Sequence, residues 1–203
     1  MKYSITGSIV ITLILAISAC SEGSDYLIME KRELARGVRY DSLFLGLKFG
    51  MTQKEFFDHC FQLNKEGIVK EGPMNNTVEY KMPDQFPHPG RMNFYPDYDD
   101  DNRIYKMRVY FQYDAWAPWN KAEWSDSLLP EVVKLFEKWY GGEFLKIEPE
   151  DRENVPPLFA KVDGNRRIAV FRGDDMKVNA IITDLTSPKA KEEKEKKESA
   201  VAQ

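Results

Sequence analysis

The chain has 203 residues, 42% of them hydrophobic, with 33 acidic against 29 basic side chains and a formal net charge of −4. That length suits one core-forming domain or two small halves. The acidic balance argues against nucleic acid, which needs a basic surface, and with two histidines and no cysteine cluster a zinc site lacks enough customary ligands.

The first element is a targeting segment. Lys2 precedes the apolar run Ile9, Val10, Ile11, Leu13, Ile14, Leu15 and Ile17. A spanning helix needs about 20 apolar residues, so this shorter run reads as a secretory signal: charged start, apolar middle, small residues before a cleavage point. Ile17-Ser18-Ala19-Cys20 resembles a lipobox, the bacterial lipoprotein signal, in which an aliphatic residue and two small ones precede Cys. The resemblance implies that residues 1–19 are removed, that the Cys20 thiol is lipidated, and that the new amino group takes a palmitate-type acyl chain. Several acyl chains, each buried CH₂ contributing about 0.8 kcal/mol, make a lasting membrane anchor. Ser21 and Glu22 follow Cys20, with no Asp between; by the proteobacterial sorting rule this implies the outer membrane. An acidic residue so early also resembles the surface-export signals of Bacteroidetes lipoproteins, so the periplasmic and surface faces both stay open.

Residues 20–40 read as a tether with a short helix over Tyr26 to Arg36, stopped by Gly37. A globular domain is expected over 41–187. Its clearest local signal runs from Phe49 to Gly67. Thr52 with Glu55 forms a capping box, and Met51 with Phe56 a hydrophobic staple. Phe56, Cys60 and Leu63 make one apolar stripe beside Phe57 and Phe61, and Gly67 closes the helix. With Cys20 lipidated, Cys60 has no partner, and a lone thiol among phenylalanines reads as a small buried hydrophobe. His59 is its neighbour, but adjacent helix positions point apart.

Strands follow. Val78, Tyr80 and Met82 alternate with polar residues, and Met92 with Phe94 forms a shorter piece. From Ile104 to Tyr113 the residues Tyr105, Met107, Val109, Phe111 and Tyr113 share one face, opposite Lys106, Arg108 and Gln112. Period-2 alternation of this kind predicts an antiparallel sheet with one buried face. Between the last two pieces, Asp97, Asp99 and Asp101 are weak candidates for calcium. Asn102 stands where the loop's Gly belongs and Arg108 where its bidentate Glu belongs, so a polar turn is the reading preferred.

After the strand, Asp114 to Trp124 places Trp116, Trp119 and Trp124 with Pro118 in a connection. Exposed aromatics on a stiff loop anchor interfaces or stack on sugars. An acidic domain seldom leaves several indoles bare, so one of Trp116 and Trp119 is expected to be mostly buried against the second helix and the other partly accessible. That helix, Ser127 to Tyr140, carries Leu128, Val132, Leu135, Phe136 and Trp139 at helical spacing and ends at Gly141-Gly142. Strands at Leu158–Val162, Arg167–Arg172 and Lys177–Leu185 form a meander turned by Asp163-Gly164 and Gly173-Asp174.

The order thus repeats, and the fold class expected is α+β with helices on one face of an antiparallel sheet, built either as two halves, 41–114 and 115–187, each helix–strand–strand–strand, or as a single irregular sheet. Residues 188–203 hold no large apolar side chain except Val201 and read as a charged, disordered, solvated tail. The helix opening Gly50-Met51-Thr52-Gln53-Lys54-Glu55-Phe56 resembles that of the small lipoprotein of the outer-membrane barrel-assembly machinery and of the β-lactamase-inhibitor-like fold. The resemblance covers about a dozen residues. It departs from the pattern at Phe56, where an aliphatic residue is usual, and lacks the Leu-Gly-x-Pro continuation. It implies a fold and a binding role and transfers no functional residue.

The chain has no Gly-x-Ser-x-Gly elbow, phosphate loop or dinucleotide fingerprint. The function expected is therefore a non-enzymatic, membrane-anchored envelope lipoprotein that binds another envelope protein, without a cofactor. The rival is a carbohydrate or cell-wall binder, hydrolytic if nearby acids pair, that uses the tryptophan loop. Two facing carboxylates in a cleft would favour the rival, and a broad exposed sheet face the former.

Overall fold

The computed structural model describes residues 22–73, 76–148 and 157–201. Cys20 and the targeting segment lie outside these. The expected short helix near the start is present as α1 (Glu22–Ala35), and Gly37, at a φ of +65° that glycine adopts without strain, follows its end.

The first core helix forms for the reason its sequence gives. Thr52 Oγ1 accepts from the Glu55 amide at 3.2 Å while the Glu55 carboxylate accepts from the Thr52 amide at 2.7 Å. The capping box is closed, and α2 (Gln53–Lys65) follows with Phe56 and Cys60 buried. Leu63 is half-buried, whereas Phe57 and Phe61 remain exposed on the flank.

Four strands come next: β1 (Val69–Glu71), β2 (Val78–Met82), β3 (Gly90–Tyr98) and β4 (Ile104–Tyr113). The second half repeats this order with α3 (Ser125–Tyr140), β5 (Leu145–Ile147), β6 (Leu158–Asp163), β7 (Arg166–Arg172) and β8 (Val178–Asp184). All eight strands join one antiparallel sheet in the order β1-β2-β3-β4-β8-β7-β6-β5. The last strands of the halves, β4 and β8, pair at its centre, and each half runs outward from them to a short edge strand. Each half is thus a helix with four strands. The additional strands, β1 and β5, are three residues long, too short to show a period.

One face of the sheet is the core. Met92, Phe94, Met107, Val109 and Phe111 from the first half meet Ile168, Val170, Val178, Ala180 and Ile182 from the second, all fully or almost fully buried. Phe111 packs edge-on against Phe136 of α3 at 5.6 Å, and Phe94 against Phe56 of α2 at 6.5 Å. Full burial of such a side chain contributes about 1.5–3 kcal/mol, which fixes both helices on this face.

Three expectations are corrected. First, the helices occupy both faces. Residues 188–201 form the helix α4 (Pro188–Val201), which lies with α1 on the face opposite α2 and α3. A tail without large apolar residues docks through charge and one small side chain. Ala190 is buried, Glu193 accepts from Tyr105 Oη and Lys106 Nζ, and Lys194 pairs with Glu30 of α1. Pairs along the helix, Lys189–Glu192 and Glu192–Lys196, add support. Second, a bulge interrupts β4. Asp97 pairs with Lys106 and Tyr98 with Ile104, leaving Tyr105 between them. The extra residue turns Tyr105 to the side of Lys106 and puts Ile104 into the core instead. Third, α3 begins two residues earlier than its spacing suggests, because Ser125 is held by the β7–β8 turn: its amide donates to the Asp175 carbonyl at 3.0 Å.

Candidate functional site

The antiparallel register brings three connections to one end of the sheet: residues 86–89 before β3, residues 114–124 after β4, and residues 173–177 between β7 and β8. The tryptophan loop lies here. Trp116 Nε1 donates to the Asp175 carbonyl at 3.2 Å, and Trp124 Nε1 donates to the Ala117 carbonyl at 3.0 Å. Their rings lie 6.3 Å apart, with Lys121 Nζ 5.6 Å from the centre of the Trp124 ring. Both are partly covered. The expectation that one of Trp116 and Trp119 is mostly buried against the second helix and the other partly accessible is corrected: Trp116 is only half-buried, because it leans on Trp124 and the β7–β8 turn. Trp119 is 86% exposed. The rest of the loop is pinned around it: Asn120 donates its amide to Ala117 O at 3.0 Å, and Pro118 fixes a backbone angle between them. A bare indole on an ordered loop loses little entropy on engagement.

Beneath this loop lies a small acidic cluster. His88 Nδ1 sits 3.8 Å from Glu123 Oε1, the other Glu123 oxygen is buried without a hydrogen bond, and the His88 ring stands edge-on to Tyr113 at 5.4 Å. Burial, helped by Glu131 and Glu123, pushes the Tyr113 phenol up to about 12.

The other candidates resolve as scaffold. Asp97 pairs with Arg108 at 2.5 Å, while Asp99 Oδ1 accepts from the amides of Asp101 and Arg103 at 3.0 and 2.9 Å. Asp97, Asp99 and Asp101 therefore do not converge, and Asn102 takes a left-handed φ of +55° that closes the turn. Among the described residues no three His, Cys, Asp or Glu side chains group to hold a metal ion. His59 Nε2 bonds the Leu45 carbonyl at 2.6 Å, away from Cys60, whose thiol burial pushes up to about 12. A thiol so protonated is a packing group. A recess of about 200 Å³ between Arg39, Gly50, Arg103 and Pro188 holds two guanidinium groups already engaged. Arg39 pairs with Asp41 and Asp184, and Arg103 donates to Gly50 O.

A second surface was missed by the sequence reading. On the face away from the core, the register aligns one row across the whole sheet: Lys70, Glu79, Asn93, Tyr110, Asn179, Phe171, Leu158 and Ile147. The helices α1 and α4 hold the far end of this face, where Glu193 meets Lys106 and where Glu30 and Tyr26 lie near Arg167. From Tyr110 to Ile147 the row stays partly exposed, flanked by exposed Arg108 and half-buried Ile181. Lys177 Nζ lies 4.9 Å from the centre of the Tyr110 ring. The alternation from Ile104 to Tyr113 marked this face as outward, but only cross-strand register could show that Tyr110, Phe171 and Leu158 form one strip.

No described helix is long and apolar enough to cross a membrane. The chain matches no family model, and comparison with curated proteins and with solved structures likewise gave no match.

Proposed function

We propose that this chain is an envelope lipoprotein, anchored through Cys20, whose domain binds another envelope protein and performs no chemistry of its own. The observation that carries the binding role is the strip Tyr110–Asn179–Phe171–Leu158–Ile147, a mixed aromatic, aliphatic and polar surface on the sheet. Its composition suits a protein interface, which combines aromatic anchors with a polar and cationic rim. Trp119, on the loop that follows β4, supplies a further exposed aromatic side chain. The lipobox resemblance supports the anchor, and the helix opening at Gly50–Phe56 supports a binding role.

Glycan recognition is favoured by Trp119 alone, since one bare indole also suits a sugar ring. The test places a photo-crosslinking amino acid at position 110 or 119 of the full-length protein in intact envelopes. Protein adducts from position 110, absent when Phe171 is replaced by Asp in a folded variant, are the expected result. Adducts absent at 110, with position 119 shielded by cell-wall fragments, would replace this reading with the glycan one.

A further inference from the structure

The helix α1 is built inside out. Its carboxylates Glu30 and Glu33 are 4% and 7% exposed, while Leu27 and Ile28 are 47% and 59% exposed. The inward face is held by polar contacts: Glu30 takes Lys194 and the Tyr26 hydroxyl, and Glu33 takes Arg36, the Gly164 amide and, at 3.5 Å, the Nε of Arg32, whose side chain is otherwise exposed. The outward face carries Leu27, Ile28, Lys31 and Arg32, at spacings of i, i+1, i+4 and i+5, with exposed Ala35 beyond. Such residues share one side of a helix. A solvated helix places its charges outward and its aliphatic groups inward, so the reversal calls for an apolar surface outside.

The chain itself says which surface. Cys20 precedes Glu22, the first residue of α1, by two positions, a reach of at most about 7 Å. If Cys20 carries the anchor proposed above, the start of α1 stands at the lipid headgroups. We infer that α1 lies on the bilayer as an interfacial helix, with Leu27 and Ile28 dipping below the headgroups and Lys31 and Arg32 meeting lipid phosphates. Its 14 residues span about 21 Å, and two apolar side chains next to two cations match an interfacial amphipathic helix. Asp25 is exposed; in the first turn of α1 it sits where the helix dipole favours an acid. Because α1 and the strip through Tyr110 and Phe171 occupy the same face of the sheet, docking brings that strip toward the lipid. The partner proposed above is then one seated in the membrane.

This inference rests on the Cys20 reading for its tether, and the test separates the two. Full-length protein is purified with its anchor, and the mass of its N-terminal peptide reports acylation directly. It is then reconstituted in phosphatidylethanolamine–phosphatidylglycerol vesicles with a nitroxide at Ile28→Cys or Phe57→Cys; Cys60 stays in place because its buried thiol does not react. Residue 28 is expected to be immersed, reached by oxygen and shielded from an aqueous nickel chelate about tenfold better than residue 57. Equal aqueous access at both, with Cys20 acylated, overturns the docking and leaves the anchor standing. Immersion of residue 28 without acylation upholds the docking and removes the lipoprotein reading. A dimer in vesicle-free solution that Leu27→Asp dissolves would assign the face to a second copy and overturn it.

Discussion

The guanidinium of Arg166 lies 4.2 Å from the ring centre of Tyr140 and 5.4 Å from that of Tyr40. It also donates to the Ser42 carbonyl at 2.8 Å and to Asp163 at 3.2 Å. One side chain on β7 thus ties the end of α3 to the segment that leads into the first half. Lys161 is buried beside it and pairs with the same Asp163, so two cations share one carboxylate.

Arg166→Met should therefore lower stability by about 3 kcal/mol, because it strips a buried carbonyl and breaks a buried pair. Arg166→Lys should not rescue it, since a point charge supplies neither the fork nor the planar stack. Lys161→Met should cost much less, because Asp163 keeps its arginine. Urea denaturation of the three variants checks the order; an equal loss for Arg166→Met and Lys161→Met would show that the rings contribute nothing.

The clasp between α1 and α4 should open in acid. Burial alone would raise the Glu30 and Glu193 carboxyls. Hydrogen bonds from Lys194 and Tyr26 to Glu30, and from Lys106 and Tyr105 to Glu193, outweigh it and hold both below the ordinary value of 4.5. A carboxyl depressed in the folded state stabilises above its unfolded value and loses that contribution as pH falls through the folded one. Hydrogen-exchange protection of residues 190–197 should thus be full at neutral pH and be lost as the pH falls through these depressed folded-state values, before that of Ile182. Glu30→Gln should flatten this dependence; an unchanged profile would place the clasp elsewhere.

Phe56→Ala should cost about 3–5 kcal/mol and Phe57→Ala less than about 1 kcal/mol, because the first ring is fully buried and the second half-exposed. Cys60 reports the same face by chemistry. In a Cys20→Ser protein it is the remaining thiol, and with its pKa pushed up to about 12 by burial it should resist a disulfide reagent at neutral pH until the chain is unfolded. Rapid labelling of the native protein would move α2 off the core.

Both core helices and six of the eight strands were legible because each presents a period to a buried face. Phe56 and Cys60 in α2, and Leu128, Val132 and Phe136 in α3, need no knowledge of the partner surface. What stayed hidden is held by pairing between distant parts of the chain. The three residues of β1 carry no period, and the bulge at Tyr105 breaks one. The helix α4 looks like a free tail until Glu30, Lys106 and Tyr105 are placed beside it. The tryptophan loop was located by composition, but only the carbonyls of Ala117 and Asp175 decide which of its indoles are held.

Trp119 should behave as a surface probe and its neighbours as structure. Acrylamide should quench the wild-type emission in two phases, and Trp119→Phe should remove the easily quenched one, while Trp116→Phe and Trp124→Phe leave it in place. Trp119→Ala should change stability by no more than about 0.5 kcal/mol, as for a side chain that touches little. Trp124→Ala gives up a ring contact and the bond to Ala117 O and should cost about 1–2 kcal/mol. If the strip on the sheet is the main contact and Trp119 its anchor, Trp119→Ala should weaken partner capture by about tenfold or more at unchanged stability, the signature of an interface hot spot. A fall in stability equal to that of Trp124→Ala would instead make Trp119 part of the fold. Unchanged capture would leave the strip to bind without it.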